Sequence, residues 1–154
     1  MNDEIKTAAE VMEANAMPCG RASHADPNTP ATAEQMPLPY AVAKKPISQK
    51  SPAEWAYERV ILYLKNFEEQ LDTNHEVAMG FTGSTAGVLR IEGLGYFDPD
   101  IVTFYGKDEN GNRTQLIQHV SQLNVILRAT SKESPDGEPV RRIGFRLAQD
   151  LGEV

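Results

Sequence analysis

Just after residue 71 the hydrophobic residues change their period, and that change limits the chain to a helix followed by strands. Upstream of it, Ala53, Tyr57, Val60, Ile61, Leu64, Phe67 and Leu71 recur at three- and four-residue steps, which puts one apolar stripe along a helix. The helix has a defined start at Ser51-Pro52-Ala53-Glu54: a capping serine, proline at the first helical position and glutamate three residues after the cap. Downstream of Asp72-Thr73-Asn74, Val77, Met79 and Phe81 alternate with Ala78, Gly80 and Thr82, the two-residue repeat of a half-buried strand.

Turn chemistry then cuts the remainder into short strands. Gly83-Ser84-Thr85-Ala86-Gly87 reads as a turn, and residues 88–94 as a second strand, with Gly93 and Gly95 permitting a bend. Asp98-Pro99-Asp100 breaks the chain before a third strand over 101–105. Asp108-Glu109-Asn110-Gly111 is a hairpin turn with the favoured Asn-Gly pair, returning through 113–118. A fifth strand over 120–129 and a sixth over 140–147 flank Ser134-Pro135-Asp136-Gly137. Six short strands are few for a sandwich and suit a small antiparallel barrel.

Seven of the ten prolines fall within the first 52 residues, among Ala, Thr and Ser and few large apolar side chains. Such a segment cannot bury enough surface to offset its chain entropy. The expected division is therefore a disordered tail over 1–50 (with at most a transient helix over 3–15), a domain over 51–149 and a flexible C-terminus over 150–154.

The net charge of −7 opposes non-specific attraction to nucleic acid or an anionic membrane. A lone Cys19 cannot form an internal disulfide, the N-terminal residues lack a secretory pattern, and no apolar run is long enough to span a bilayer. A cytoplasmic protein without membrane association is the expectation.

No motif implies a catalytic group, cofactor or metal. The glycine-containing turn at 83–87 lacks the Lys-Ser/Thr ending of a phosphate loop and precedes a strand where a helix is required. Asp98, Asp100, Asp108 and Glu109 are split over two turns without a Ca²⁺-loop spacing. His119 has no ligand partner at zinc spacing, and its nearness to Ser121 comes without an oxyanion hole. Two surfaces remain. If a final hairpin centres on Pro135, Arg128, Arg142 and Arg146 share one strand face with Asn124, a candidate RNA or anion patch. Trp55 and Leu62 lie off the main helix stripe, and either broaden the buried face or form an interaction surface.

The helix feeding a bent five-stranded antiparallel sheet resembles the Sm-like fold, which includes the bacterial RNA chaperone Hfq and the eukaryotic Sm and LSm proteins, over about residues 52–128. Gly87-Val88-Leu89-Arg90-Ile91 leading to Tyr96-Phe97-Asp98 is similar to the first Sm motif, and Leu116-Ile117-Gln118-His119-Val120 to the second motif of Hfq. The resemblance makes Asp98, Asp100, Gln118 and His119 the loop positions of interest and implies self-association by edge-strand pairing. Asp100 and Gln118 replace the stacking aromatic and the lysine of the uridine pocket, so the resemblance implies fold more than RNA binding. The whole chain also resembles an uncharacterised bacterial family of unknown function. The expectation is a non-enzymatic homo-oligomer that binds a protein partner, with RNA binding as the alternative.

Overall fold

The computed structural model describes residues 20–82, 87–132 and 137–152. The transient helix over 3–15, Cys19, most of the 83–87 turn and residues 134–136 of the last turn lie outside the described residues.

The capped helix is present as α2, Pro52–Glu69, with Ser51 Oγ accepting the Glu54 N–H at 3.0 Å; a four-residue helix, α1 (Tyr40–Ala43), precedes it. Five strands follow: β1 (His75–Phe81), β2 (Val88–Phe97), β3 (Ile101–Lys107), β4 (Arg113–His119) and β5 (Val125–Ser131). They form one antiparallel sheet in the order β4-β3-β2-β1-β5. The expected barrel is not closed. β4 and β5 are the two edges of an open sheet, and residues 120–122 of the expected fifth strand form a 3-10 turn (Val120–Gln122).

The bend lies in β2, the longest strand. Its first residues, Val88 and Leu89, pair with Gly80 and Met79 of β1, whereas Arg90 to Phe97 pair with β3, across a register shift between Ile91 and Gly93. The backbones approach closely there: a methyl on Gly106 would lie 2.2 Å from the Arg90 carbonyl oxygen, so only glycine fits.

The inner face of the sheet packs on α2. Ala53, Ile61 and Leu64 meet Met79, Leu89, Ile91, Val102 and Phe104, all buried, and Phe81 stacks edge-on against Phe104 at 4.9 Å. Each large aliphatic side chain buried in this way contributes about 1.5–3 kcal/mol.

The expected sixth strand is instead a helix, α3, Ile143–Gly152. Residues 143, 145 and 147 alternate, which suits a strand, but Ile143, Leu147, Ala148 and Leu151 form a helical stripe that buries against the core. Gly144 lets α3 approach α2, since a methyl there would lie 2.7 Å from the Lys65 amide nitrogen. Glu68 of α2 accepts the Phe145 N–H at 3.0 Å, supplying from a neighbouring helix an acceptor that α3 needs at its N-terminus. The C-terminus expected to be flexible from 150 is helical through Gly152.

Residues of the 20–50 segment, assigned to the tail, lie against α2. Val42 is 1% exposed, Asn66 Nδ2 donates to the Ala31 carbonyl at 3.0 Å, Tyr63 donates to Glu34, and Lys45 pairs with Glu54 at 2.9 Å. Lys50, almost fully buried, pairs with Glu58 and donates to the Val42 carbonyl. This segment is held mainly by polar and backbone contacts, which leave no hydrophobic period to read. Among the described residues no helix is long and apolar enough to cross a membrane.

Candidate functional site

The turn between β2 and β3 and the link between β4 and β5 meet at one end of the sheet, bringing three of the four expected loop positions together. Asp98 and Pro99 are tied to the start of α2: Ser51 Oγ donates to the Asp98 carboxylate, and the Ala53 N–H to the Pro99 carbonyl at 3.0 Å. Asp100 faces the other link. Its carbonyl accepts the Val120 N–H at 2.7 Å, and its carboxylate lies 3.1 Å from His119 Nε2. Gln118 departs from the group, because it stands on the inner face opposite Val102, where its Oε1 is buried without a partner.

His119 Nδ1 accepts the Ser121 N–H at 3.1 Å and lies 2.8 Å from Ser121 Oγ. An N–H pointing at Nδ1 requires a lone pair there, so the neutral ring carries its proton on Nε2 and donates it to Asp100. The row Ser121–His119–Asp100 resembles a nucleophile, base and orienting acid in composition, but its bonds hold a turn. His119 N–H donates to Gln122 Oε1 at 3.0 Å, Leu123 N–H to the Val120 carbonyl, and Val120 N–H to Asp100. The N–H groups of His119, Val120, Ser121 and Leu123 are thus engaged within the turn and with Asp100. The cluster is a latch between the two links.

Beside this latch lies an aromatic whose exposure the sequence did not reveal. Phe97 is 76% exposed, and the register places Phe97, Ile101 and His119 in one row across β2, β3 and β4. Ile117 on β4 and Ile126 on β5 are also exposed, at 62% and 45%.

The expected basic patch of Arg128, Arg142, Arg146 and Asn124 is not formed. It required β5 to pair with a strand over 140–147, but β5 pairs with β1, Ala78 opposing Arg128, and Arg146 rides on α3. Arg142 donates to the carbonyls of His75 at 2.7 Å and Asp72 at 2.8 Å, so its guanidinium joins α3 to the start of β1. Asn124 sits exposed between the 3-10 turn and β5.

Trp55 and Leu62 are both half-buried. The Arg59 guanidinium lies 4.5 Å and the Lys50 ammonium 5.0 Å from the Trp55 ring centroid, so two cations of the chain itself lie over the indole.

Of the turn acids, Asp108 accepts the N–H groups of Asn110 and Asn112, and these bonds hold its carboxyl below the usual range. Among the described residues no three His, Cys, Asp or Glu side chains are grouped to hold a metal.

A protein-family match covers residues 46–146, from just before α2 into α3, and so takes in the sheet, the latch and both edges. The chain belongs to DUF6173, a family of unknown function. No curated protein and no solved structure matches it. Within the DUF6173 unit, sequence reasoning missed a row of basic residues: Arg90, Lys107 and Arg113 are successive cross-strand partners on β2, β3 and β4. Lys107 and Arg113 flank the Asn-Gly hairpin, so the turn alone pairs them; Arg90 joins only through the shifted register of β2.

Proposed function

We propose that this chain is a non-enzymatic, Sm-like β module of the cytoplasm that self-associates through its two open sheet edges and serves as an interaction or assembly unit. The observation that carries this reading is the state of the edges. β4 and β5 are each seven residues long and contain no proline, and beside one exposed arginine, Arg113 and Arg128, each carries one exposed isoleucine, Ile117 and Ile126. Monomers usually blunt such edges with short strands, prolines or charge, because unpaired N–H and C=O groups recruit another strand. Two different edges on one chain make a head-to-tail contact, which gives a ring where the rotation closes. The Sm-like part of the reading rests on the helix leading into five antiparallel strands with the bend in β2.

Amide hydrogen exchange over a concentration series tests the edges. The amides of β4 and β5 that face away from the sheet are expected to gain protection as concentration rises, while those of β2 and β3 stay constant. Edge amides that exchange at the same fast rate at every concentration would exclude the pairing.

One observation favours RNA binding as a second reading: the exposed Phe97 ring beside the His119–Asp100 latch offers a surface on which a base can stack. Its discriminator is the absorbance ratio at 260 and 280 nm of protein purified without nuclease. Co-purified nucleic acid that is lost on Phe97→Ala supports this second reading, and a protein-like ratio counts against it.

A further inference from the structure

The row of cations opens onto a cavity. Arg90 opposes Lys107, and Lys107 opposes Arg113, so three like charges project from one face of the sheet on neighbouring strands, an arrangement that destabilises a sheet unless something answers the charge. Beside the first two lies a cavity of about 80 Å³ lined by Arg90, Glu92, Lys107, Asp108, Gly111 and Arg141, ample for more than one water. Its parts come from three separated stretches of chain, and one buried acid organises them. Glu76 accepts a hydrogen bond from the Arg90 guanidinium at 3.3 Å and one from the Arg141 N–H at 3.0 Å, while Arg90 also donates to the Ser131 carbonyl at 3.0 Å. Arg90 is thereby fixed at the cavity wall. Lys107, Arg113 and Arg141 make no ion pair among the described residues.

Of the two acids in the lining, Asp108 has its oxygens engaged by its own turn, accepting from Asn110 and from the Asn112 amide and side chain. Glu92 alone offers a carboxylate to the space. Glu76 answers the charge of Arg90, so the lining cations left without an ion pair among the described residues are Lys107 and Arg141, and they face the single carboxylate of Glu92.

We propose that this cavity binds a phosphoryl group, as inorganic phosphate or as the phosphate of a small monoester. A tetrahedral dianion can accept from Lys107, Arg141 and Arg90 on different sides, and charge-assisted bonds of this kind are the strong ones. The site is separate from the edges and from the latch, and does not depend on the reading given for them.

The test is a titration of the full chain at constant ionic strength with sodium phosphate, with a nucleoside monophosphate and with sodium chloride, followed by amide chemical shifts. Saturable shifts at Lys107, Gly111 and Arg141 with either phosphate, and none with chloride, are expected. A tighter monophosphate identifies the ligand as an ester; equal affinity identifies the free ion. Lys107→Gln with Arg141→Gln should weaken binding about a hundredfold, since two hydrogen bonds to a charged group are lost. Glu92→Gln should tighten it, and Arg128→Gln, outside the cavity, should leave it unchanged. These side chains are exposed, so folding is not at stake. The proposal is overturned if neither phosphate gives saturable shifts, if chloride reproduces them, or if the double variant binds as well as the wild type.

Discussion

Glu68 shows how one buried side chain can set the pH response of the fold. It is 1% exposed, and burial raises its carboxyl above the ordinary 4.5 despite the N–H groups of α3 that favour the charged form. The folded state therefore holds this proton to higher pH than the unfolded chain does. The stability it contributes is full below about pH 4.5 and is lost as pH rises through the folded pKa. Relative to Glu68→Gln, the wild type is expected to lose melting temperature as pH rises above about 4.5; a difference that grows in favour of the wild type would mean that α3 prefers the ionised cap. At Gly144 a methyl would lie 2.7 Å from Lys65 N and 2.8 Å from Leu64 C, both backbone atoms, so Gly144→Ala should cost about 1–3 kcal/mol in urea unfolding. Lys50 and Glu58 are 2% and 9% exposed along their side chains. Lys50→Met, which leaves the acid buried alone, should cost about 3–5 kcal/mol, and adding Glu58→Leu should recover much of it. A double variant no more stable than the single one would show that the Lys50 bond to the Val42 carbonyl matters more than the charge pair.

At the scale of elements, the segment before α2 tests how far the folded unit extends. A chain beginning at residue 46, where the family match starts, lacks the buried Val42 and the Lys45–Glu54 pair. It is expected to melt about 5–10 °C lower, given the burial lost and the size of the domain. An unchanged transition would put the segment outside the cooperative unit, as its proline content alone suggests. What could be read in advance follows from where periodicity survives. α2 was legible because Ser51-Pro52 marks its start and Ile61 and Leu64 repeat on one face; β3 and β4 were legible because Asn110-Gly111 sets their hairpin. α3 was not, because Ile143, Phe145 and Leu147 alternate like a strand, and the helical stripe shows only when Ala148 and Leu151 are included. The basic patch assigned to Arg128, Arg142 and Arg146 failed with it. The latch was partly legible: the Sm-like resemblance grouped His119 with Asp100 as loop positions, but nothing in the residues themselves pairs them, because their contact depends on how two links meet in space.

For the whole molecule, the open sheet is the feature with the largest consequence. Its inner face is filled by α2 and α3, and of the exposed apolar side chains Ile117 and Ile126 lie on the two edge strands and Phe97 at the end of β2. An assembly through the edges would cover the two isoleucines and leave the phosphate cavity and the latch to act separately. The most direct measurement is native mass by light scattering across a concentration range, for the wild type and for Ile117→Lys and Ile126→Lys, which place a charge on each edge strand without touching the core. The wild type should have a mass that is a multiple of 17.0 kDa, and either substitution should reduce it to the monomer with an unchanged circular dichroism spectrum. A wild type that stays at 17.0 kDa at every concentration would contradict the account.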